Sequence, residues 1–328
     1  MVKEIKWGII GPGWIADKFA NGLACVKGTS IKAVGSRSKE RAEAFAQKFG
    51  VPNAYGSYEE VVNDPEVDIV YIATPHPAHK EGALMSLKAG KAVLCEKPFT
   101  VNAPDTEEVI GIAREKKLFL MEAMWTRFLP AIVKTREWIK KGAIGEILMF
   151  KGDFGFRRIS EPEGRLLNPN LAGGALLDVG IYPVSFASML FGTQPSEILS
   201  MAHIGSTGVD EQFAALFRYS EGRMASITSA VRAELGNGAE IIGTDGIIRI
   251  PHCWWADSAV LVVGDKEVET YKSPYMVNGY EYEAIEAVSC LKEGKLESEV
   301  MPLEESLEIM KTLDEMRSQW GLKYPFEK

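Results

Sequence analysis

The chain has 328 residues, of which 46% are hydrophobic and 25% charged, a composition typical of a globular protein of about two domains. Its formal net charge of -8 argues against nucleic acid or a membrane as a partner, because both reward clustered Lys and Arg side chains. Four scattered cysteines without a C-x-x-C pair argue against a disulfide framework or zinc site and fit a reducing cytoplasm. The N-terminus lacks a signal-peptide pattern, and no uninterrupted apolar run is long enough to span a membrane.

Over residues 1–122, short apolar runs alternate with helical patterns. The runs KWGIIG, IKAVGS, VDIVYIAT and AVLCEKP are each followed by an amphipathic stretch, and FLMEAM closes the series. Strands that alternate with helices form βαβ units with right-handed crossovers. This half is therefore predicted to be an α/β domain with a doubly wound parallel sheet of the Rossmann type.

Residues 123–328 carry a different pattern, which predicts an α+β domain. Six strand-like segments between residues 146 and 271 are joined by Gly-rich or Asp-Gly turns, as in a largely antiparallel sheet. Helices are expected at residues 130–141, 175–191, 280–292 and 303–319.

The stretch GIIGPGWIA, directly after the first predicted strand, has the spacing G-x-G-x-x-A. Gly11 permits a tight turn, Gly13 lets backbone amides approach a pyrophosphate, and Ala16 lets the helix pack on the sheet. The helix start, with Trp14 and Ile15, then faces the anion with its N–H groups. The pattern predicts a dinucleotide site; the alternative is that the glycines serve only the turn.

The end of the second strand indicates which dinucleotide is bound. An NAD site would place Asp or Glu there, whereas this chain has Ser36, Arg37, Ser38 and Arg41. A guanidinium and hydroxyl groups suit a dianionic 2′-phosphate, which favours NADP(H) over NAD(H). Alternatively, the serines cap the following helix, and both interpretations can hold together.

Polar side chains follow the next two strands at their carboxyl ends. They are Thr74, His76 and His79 in TPHPAH, and Glu96 and Lys97 in CEKPF. Open α/β sheets bind ligands at this edge, so cofactor or substrate contacts are expected from them. Two histidines without a third ligand do not indicate a metal site. The alternative to a ligand contact is that the histidines only stabilise the turn and that Glu96 only fixes its own loop.

The sequence resembles the Gfo/Idh/MocA oxidoreductases. The Rossmann turn, TPHPAH, CEKPF, EAMWTRFLP and GGALLDVGIYPV occur in this order in that family, and the resemblance covers nearly the whole chain. It is strongest to the branch that contains dimeric dihydrodiol dehydrogenase, glucose–fructose oxidoreductase and D-xylose dehydrogenase. It implies NADP(H), a cis bond before Pro98, a C-terminal domain with a large open sheet, and a homodimer built on that sheet.

The same resemblance implies roles for individual residues. Lys97 matches the lysine beside the nicotinamide and the substrate, and Tyr182 matches the catalytic tyrosine of the dihydrodiol dehydrogenase branch. Many other members carry histidine at that position, which lowers the expectation of an inositol substrate. Asp178 matches an aspartate one helical turn earlier, and Trp125 and Arg127 of WTRF are expected to contact the cofactor.

Oxidation of a secondary alcohol removes a hydride from carbon and a proton from oxygen, and the protein must take the proton. We expect Tyr182 to accept it and Lys97 to orient the substrate, although a coupled pair can exchange these roles. The alternatives are a surface lysine, a core tyrosine with a satisfied hydroxyl, and an Asp178 that only starts a helix.

An aromatic wall would suit the apolar face of a pyranose or a cyclohexadiene diol. We expect Trp125, Phe154 and Trp254 to line the substrate pocket, although aromatic residues at strand spacing more often belong to a core or an interface. The predicted function is NADP(H)-dependent oxidation or reduction of a cyclic polyol, either a trans-dihydrodiol or a monosaccharide. The alternatives are a dinucleotide-sensing regulator and a sugar–sugar oxidoreductase with tightly bound NADP.

Overall fold

A computed structural model describes residues 4–158, 161–192 and 194–327 of the chain. Contacts between Cα atoms divide the chain into two units, each of which contains two separate stretches of sequence.

The first unit, Met1–Trp125 and Met276–Ser306, contains a parallel sheet and its helices. Its strands are β1 (Ile5–Ile10), β2 (Thr29–Gly35), β3 (Asn53–Tyr55), β4 (Ile69–Ile72), β5 (Ala92–Glu96) and β6 (Leu120–Ala123). The helices of its N-terminal stretch are α1 (Trp14–Leu23), α2 (Lys39–Phe49), α3 (Tyr58–Asn63), α4 (His79–Lys88) and α5 (Ala103–Lys116).

All strand pairs of this sheet are parallel, in the order β3-β2-β1-β4-β5-β6. This is the doubly wound order of a Rossmann domain, so the predicted fold class is confirmed. Every residue of β4, β5 and β6 is buried, as expected for strands covered by helices on both faces. The order reverses between β1 and β4, where such sheets bind ligands beyond the carboxyl ends of the strands.

A helix from late in the chain, α8 (Tyr280–Glu293), packs against α1. The approach is close, because a Cβ atom on Gly22 of α1 would lie 2.8 Å from the backbone nitrogen of Glu281. The Asn278 side chain also donates a hydrogen bond to the carbonyl of Lys18 at 2.9 Å. The buried Glu281 carboxylate accepts the N–H groups of Asn278 and Gly279 at 3.1 and 2.8 Å, so it closes the turn that starts α8.

The second unit comprises Thr126–Tyr275 and Leu307–Lys328. Its strands are β7 (Ile147–Gly155), β8 (Glu197–Ile204), β9 (Asp210–Arg218), β10 (Met224–Ala230), β11 (Ala239–Gly243), β12 (Gly246–Ile250), β13 (Ser258–Val263) and β14 (Lys266–Lys272). Its helices are α6 (Pro130–Lys140), α7 (Ile181–Phe191) and most of α9 (Leu303–Trp320).

The eight strands form one open sheet in the order β14-β13-β12-β11-β7-β10-β9-β8. Only the β7–β10 pair is parallel, which confirms the prediction of a large, mostly antiparallel sheet. One face is covered by α7, whose Phe186 ring stacks on Phe150 of β7 at 5.1 Å. On the outer face, Leu199, Met201 and Leu216 are 60%, 80% and 45% exposed.

One segment of the described chain, Pro169–Phe191, is long and apolar enough to cross a membrane, with a mean hydropathy of 1.5. The sequence analysis did not identify it, because polar residues interrupt it. Of its most apolar window, 83% is buried inside the protein, as expected for a core helix.

Candidate active site

The turn after β1 exposes backbone rather than side chains. Gly11 has a φ of 83°, and a Cβ atom there would lie 2.9 Å from backbone atoms of Ala73 and Thr74, so only glycine fits without a shift. Gly13 precedes α1 without any side-chain cap, and a Cβ atom on it would meet only the carbonyl oxygen of Gly11, at 3.9 Å. The first N–H groups of a helix have no partner within the helix, so this turn fits a pyrophosphate.

The end of β2 brings together the residues predicted to select the cofactor. Ser36 is buried, and its hydroxyl accepts the N–H of Ser38 at 3.2 Å. Ser38 caps α2, because its hydroxyl accepts the N–H of Arg41 at 3.4 Å. The side chains of Arg37 and Arg41 are exposed and could meet an anion. The serines therefore form local hydrogen bonds, as the alternative interpretation held, while the guanidinium groups face solvent.

His79 joins the segments that follow β4 and β5. Its Nδ1 lies 2.8 Å from the carbonyl of Pro98, and its Nε2 lies 2.8 Å from the carbonyl of Thr74. Burial lowers the pKa of His79, and a neutral ring has one N–H, so it donates to one carbonyl at a time. The His76 ring packs edge-on against it, with centroids 5.8 Å apart.

Thr74 carries a buried hydroxyl whose Oγ1 has no hydrogen-bond partner within the described chain. Buried hydroxyl groups are normally hydrogen-bonded, so this atom is suited to contact a ligand at the strand edge.

Glu96 and Lys97 stand where β5 leaves the core. The Glu96 carboxyl accepts a short hydrogen bond from the hydroxyl of Tyr71 and the N–H of Lys97 at 3.2 Å. Burial raises the pKa of Glu96 to about 7, against the effects of the Tyr71 hydrogen bond and the Lys97 charge. Glu96 therefore holds the turn from inside the unit.

The Lys97–Pro98 bond is cis, as the resemblance implied. The following residue, Phe99, donates its N–H to the carboxylate of Glu122 at 3.1 Å, and Glu122 also accepts the hydroxyl of Ser306 at 2.7 Å. Two buried carboxyl groups, Glu96 and Glu122, thus fix the turn that carries Lys97.

Sequence reasoning missed Tyr71 and Glu283 of the first unit. Glu283 on α8 is fully buried, and neither of its carboxyl oxygens has a hydrogen-bond partner in the described chain. Burial raises its pKa well above the ordinary range, and the nearby charges of Glu96 and Glu281 raise it further. The only sequence signal for Tyr71 was a hydroxyl group inside an apolar strand, and α8 contains several other charged residues that hid Glu283.

Trp125 is buried, and its ring stacks on Tyr280 with centroids 4.4 Å apart and planes 12° apart. Arg127 is also buried, in the second unit. Its guanidinium donates to the carbonyl of Ser185 at 2.7 Å and to the hydroxyl of the same residue at 3.0 and 3.1 Å. Arg127 therefore connects the WTRF segment to α7.

Tyr182 is the second residue of α7. The preceding residues, Leu176–Gly180, form a π-helical turn rather than the α-helix expected at residues 175–191. The ring of Phe213 presses on Gly180, where a Cβ atom would collide with it. Asp178 lies in this turn and forms a two-point ion pair with Arg165, in which one guanidinium nitrogen is 3.3 Å from Oδ2. π turns occur frequently at functional sites.

An aromatic cluster lies beside Tyr182. The ring of Phe154 is 5.5 Å from that of Tyr182 and stacks on Trp254 at 4.8 Å with planes 5° apart. Three of the residues predicted to bind substrate are thus neighbours within the second unit. Within the described residues, no group of three or more His, Cys, Asp or Glu side chains could hold a metal ion.

Comparison with known sequences agrees with the geometry of both units. Residues 5–124 match the Gfo/Idh/MocA model described as an oxidoreductase family with an NAD-binding Rossmann fold, and residues 132–249 match the C-terminal domain model of the same family. The mouse (Mus musculus) trans-1,2-dihydrobenzene-1,2-diol dehydrogenase is 41% identical over 99% of both chains. The chain belongs to the Gfo/Idh/MocA oxidoreductase family. The human (Homo sapiens) protein of the same name is 39% identical, also over 99% of both chains.

Solved structures of other oxidoreductases are also similar to this chain. A 3-ketoreductase from Actinomadura kijaniata in complex with NADP and TDP-benzene is 26% identical, covers 96% of this chain and 98% of its own, and has a TM-score of 0.85. An aldose-aldose oxidoreductase from Caulobacter crescentus has a TM-score of 0.88 at 22% identity, over 97% and 98% of the two chains, and shows the fold alone. This Gfo/Idh/MocA protein is an oxidoreductase that uses a nicotinamide dinucleotide.

Proposed function

We propose that this enzyme is an NADP(H)-dependent dehydrogenase of cyclic polyols, with trans-dihydrodiols as the favoured substrates and monosaccharides as the second candidates. The observation that carries this proposal is the 41% identity to mouse trans-1,2-dihydrobenzene-1,2-diol dehydrogenase over 99% of both chains. The aligned region covers both units, so it includes the residues proposed to bind the cofactor and those proposed to bind the substrate.

The cofactor binds at the carboxyl edge of the parallel sheet. Gly11, Gly13, Trp14 and Ile15 hold the pyrophosphate through the uncapped start of α1. Ser36, Arg37 and Arg41 contact the adenosine 2′-phosphate, which is supported by the exposed guanidinium groups and by the NADP in the similar 3-ketoreductase. The remaining proposed contacts are Thr74, His76, His79, Glu96, Lys97, Trp125 and Arg127.

A nicotinamide held there would supply the hydride acceptor or donor, and residues of this chain would move the proton. Tyr182 accepts the proton of the reacting hydroxyl, and the ammonium of Lys97 orients that hydroxyl and favours its oxyanion. Asp178 contacts the substrate, and Arg165 holds the Asp178 carboxylate in place through their ion pair. The fixed turn around Lys97 supports this assignment, because a lysine on a firmly held backbone presents its charge in a defined place.

The substrate has one flat, weakly polar ring face. The parallel stack of Phe154 on Trp254, beside Tyr182, supports a dihydrodiol ring, whose face is more apolar than that of a sugar. Trp125 is the third aromatic residue proposed to bind the substrate.

A substrate panel tests the proposal. Reduction of NADP+ is followed at the nicotinamide absorbance with trans-1,2-dihydrobenzene-1,2-diol, D-xylose, D-glucose and myo-inositol. We expect turnover of the diol, weaker turnover of a monosaccharide and none of inositol. Tight NADP+ binding without turnover of any compound would instead support a dinucleotide-sensing regulator. NADP(H) that co-purifies and cycles between two sugars would support a sugar–sugar oxidoreductase.

The enzyme works as a homodimer in the cytoplasm. The exposed Leu199, Met201 and Leu216 on one face of the large sheet support a dimer built there, and four unpaired cysteines support a reducing compartment. Met201→Lys should convert the dimer to a monomer in light scattering. Ile285→Lys, at a 40% exposed position on α8, is the control and should leave the dimer intact. A monomeric wild-type protein would contradict this part of the proposal.

A further inference from the structure

The turn that leads to Tyr182 is capped by a residue from elsewhere in the chain. Ala175, which precedes the π turn, has no side chain that could accept a hydrogen bond from the first N–H groups. The carboxylate of Asp210, the first residue of β9, performs this role, because its Oδ2 accepts the N–H of Leu176 at 2.7 Å. A carboxylate at a helix start also meets the positive end of the helix dipole.

The second oxygen of Asp210 fits closely over the turn. A Cβ atom on Gly174 would collide with Oδ1, and Gly174 has a φ of 122°, a conformation open mainly to glycine. Oδ1 has no hydrogen-bond partner in the described chain, although the residue is fully buried. A residue larger than glycine therefore does not fit at position 174 unless the Asp210 carboxylate shifts.

A second contact holds the same turn from the C-terminal stretch of the unit. Tyr324 donates its hydroxyl to the carbonyl of Gly173 at 2.7 Å, and the Arg317 guanidinium of α9 lies 5.1 Å over the Tyr324 ring. Arg317 and Tyr324 are the titratable groups that face Asp210 in the described chain. Burial raises the pKa of Asp210 to about 7, which the Leu176 hydrogen bond and the Arg317 charge oppose.

We infer that Asp210 is a positioning residue for the reaction: its carboxylate fixes the start of the π turn and thereby the direction in which Asp178 and Tyr182 point. This inference rests on the proposed function, because it requires Tyr182 to move the proton. Leu176 lies two residues before Asp178 and six before Tyr182, so a shift at Leu176 is passed along one continuous helical segment. A small misplacement of a catalytic group is enough to slow a reaction strongly.

The carboxylate must be ionised to hold the turn most firmly, since a charged acceptor forms stronger hydrogen bonds than a neutral one. Asp210→Asn copies the shape of the protonated residue at every pH. The variant should therefore resemble the wild type at low pH and fall behind it at high pH. A purely structural role would change activity by a factor that does not depend on pH.

The experiment compares wild type, Asp210→Asn and the control Asp64→Asn with trans-1,2-dihydrobenzene-1,2-diol and saturating NADP+. Asp64 is a matched control, because it is also buried and it accepts hydrogen bonds from Asn53, Tyr55 and Glu66 within the first unit, whereas α7 belongs to the second. We expect the wild-type kcat to exceed that of Asp210→Asn by about tenfold near pH 8.5 and by less than about threefold near pH 5.5. KM should change less than kcat, and the Kd for NADP+ should not change. A pH-independent ratio, or the same ratio for Asp64→Asn, would overturn the inference.

Tyr182→Phe in the same assay separates the two proposals. If Tyr182→Phe keeps full activity, the proposed function fails. If it is inactive while Asp210→Asn equals the wild type at every pH, only the positioning role fails. If Asp210→Asn does not fold, the positioning role is tested by hydrogen exchange of the wild-type protein, measured on the peptide that covers residues 173–182. Its protection, corrected for intrinsic exchange, should be higher near pH 8 than near pH 6, and equal protection would refute the role.

Discussion

At the scale of single residues, the neighbouring Glu96 and Lys97 in the turn after β5 have different roles. Glu96 points into the unit, where it accepts from Tyr71 and from the backbone of Lys97. The hydrogen bond from Phe99 to Glu122 fixes the chain that follows. The acid therefore supports the turn, and our proposal assigns the chemistry to the lysine.

Lys97→Met tests this division. The variant should lose at least about 100-fold in kcat with the diol, because the ammonium that stabilises the developing oxyanion is gone. NADP+ affinity, measured by fluorescence titration, should stay within about threefold, since the phosphate turn is untouched. Lys88→Met, at an exposed position in the last turn of α4, is the control and should behave like wild type. A Lys97→Met enzyme that retains more than a tenth of wild-type activity would exclude a catalytic lysine.

Our proposal assigns the preference for NADP(H) over NAD(H) to Arg37. Arg37→Asp should raise the Kd for NADP+ by at least about tenfold, because a carboxylate then faces the 2′-phosphate. The Kd for NAD+ should stay unchanged or fall, since Asp can accept from the ribose hydroxyl. The NAD+ value on the same variant is the internal control, and an unchanged ratio of the two constants would refute the assignment.

At the scale of elements, long periodic segments were predictable and contacts between distant segments were not. The alternation of strands and helices predicted the doubly wound Rossmann sheet, and the strand-like segments with Gly-rich turns predicted the second sheet. The three-residue β3 is too short to show a period. The pattern of α8 predicted a helix but not its partner α1, because an apolar face does not specify what covers it.

The candidate site was predictable to the same limit. Motifs next to strand ends identified Lys97, Thr74 and the phosphate turn as candidates, since local sequence determines those positions. Asp210 and Glu283 were missed, because each reaches its place from a separate element and polar residues in strands or helices usually face solvent. The π turn before Tyr182 also packs against Phe213 of β9 at Gly180, and no local pattern predicts a contact between such distant segments.

The turn between β1 and α1 allows a test of backbone conformation. Gly11→Ala should destabilise the protein by about 1–2 kcal/mol and raise the Kd for NADP+ by at least about tenfold, because the residue has positive φ and the new Cβ pushes on the backbone of Ala73 and Thr74. Gly111→Ala on α5 is the control: nothing lies within 4 Å of its added Cβ, so stability should be unchanged or slightly higher. Urea unfolding and cofactor titration measure both effects, and equal results for the two variants would contradict the prediction.

At the scale of the whole molecule, buried carboxyl groups make stability depend on pH. Burial raises the pKa of both Glu96 and Asp210 to about 7, and it raises that of Glu283 well above its ordinary range. An unfolded aspartate releases its proton near pH 4, whereas the folded protein keeps it until about pH 7. Between these values the unfolded state binds fewer protons, so these groups lower the free energy of unfolding as pH rises.

Asp210→Asn isolates one of these groups. Relative to wild type, its free energy of unfolding should rise by about 1.4 kcal/mol for each pH unit between about pH 4 and pH 7 and then level off. Chemical denaturation at several pH values measures the difference in the free energy of unfolding between the two proteins. The contributions of the other titrating groups cancel in this difference. A difference that stays constant across this range would show that Asp210 has an ordinary pKa. Greater stability combined with slower turnover would fit a residue kept for function.

The nucleotide-binding unit is assembled from both sides of the sequence, since α8 joins it from residues 276–306. A truncated gene that stops after residue 125 would encode every strand of the parallel sheet but not the helix that lies against Gly22. The surface of α1 that α8 normally covers would then face water. Domain exchange between homologous enzymes should therefore transplant two segments at once, because a single cut at the apparent boundary separates the sheet from one of its own covering helices.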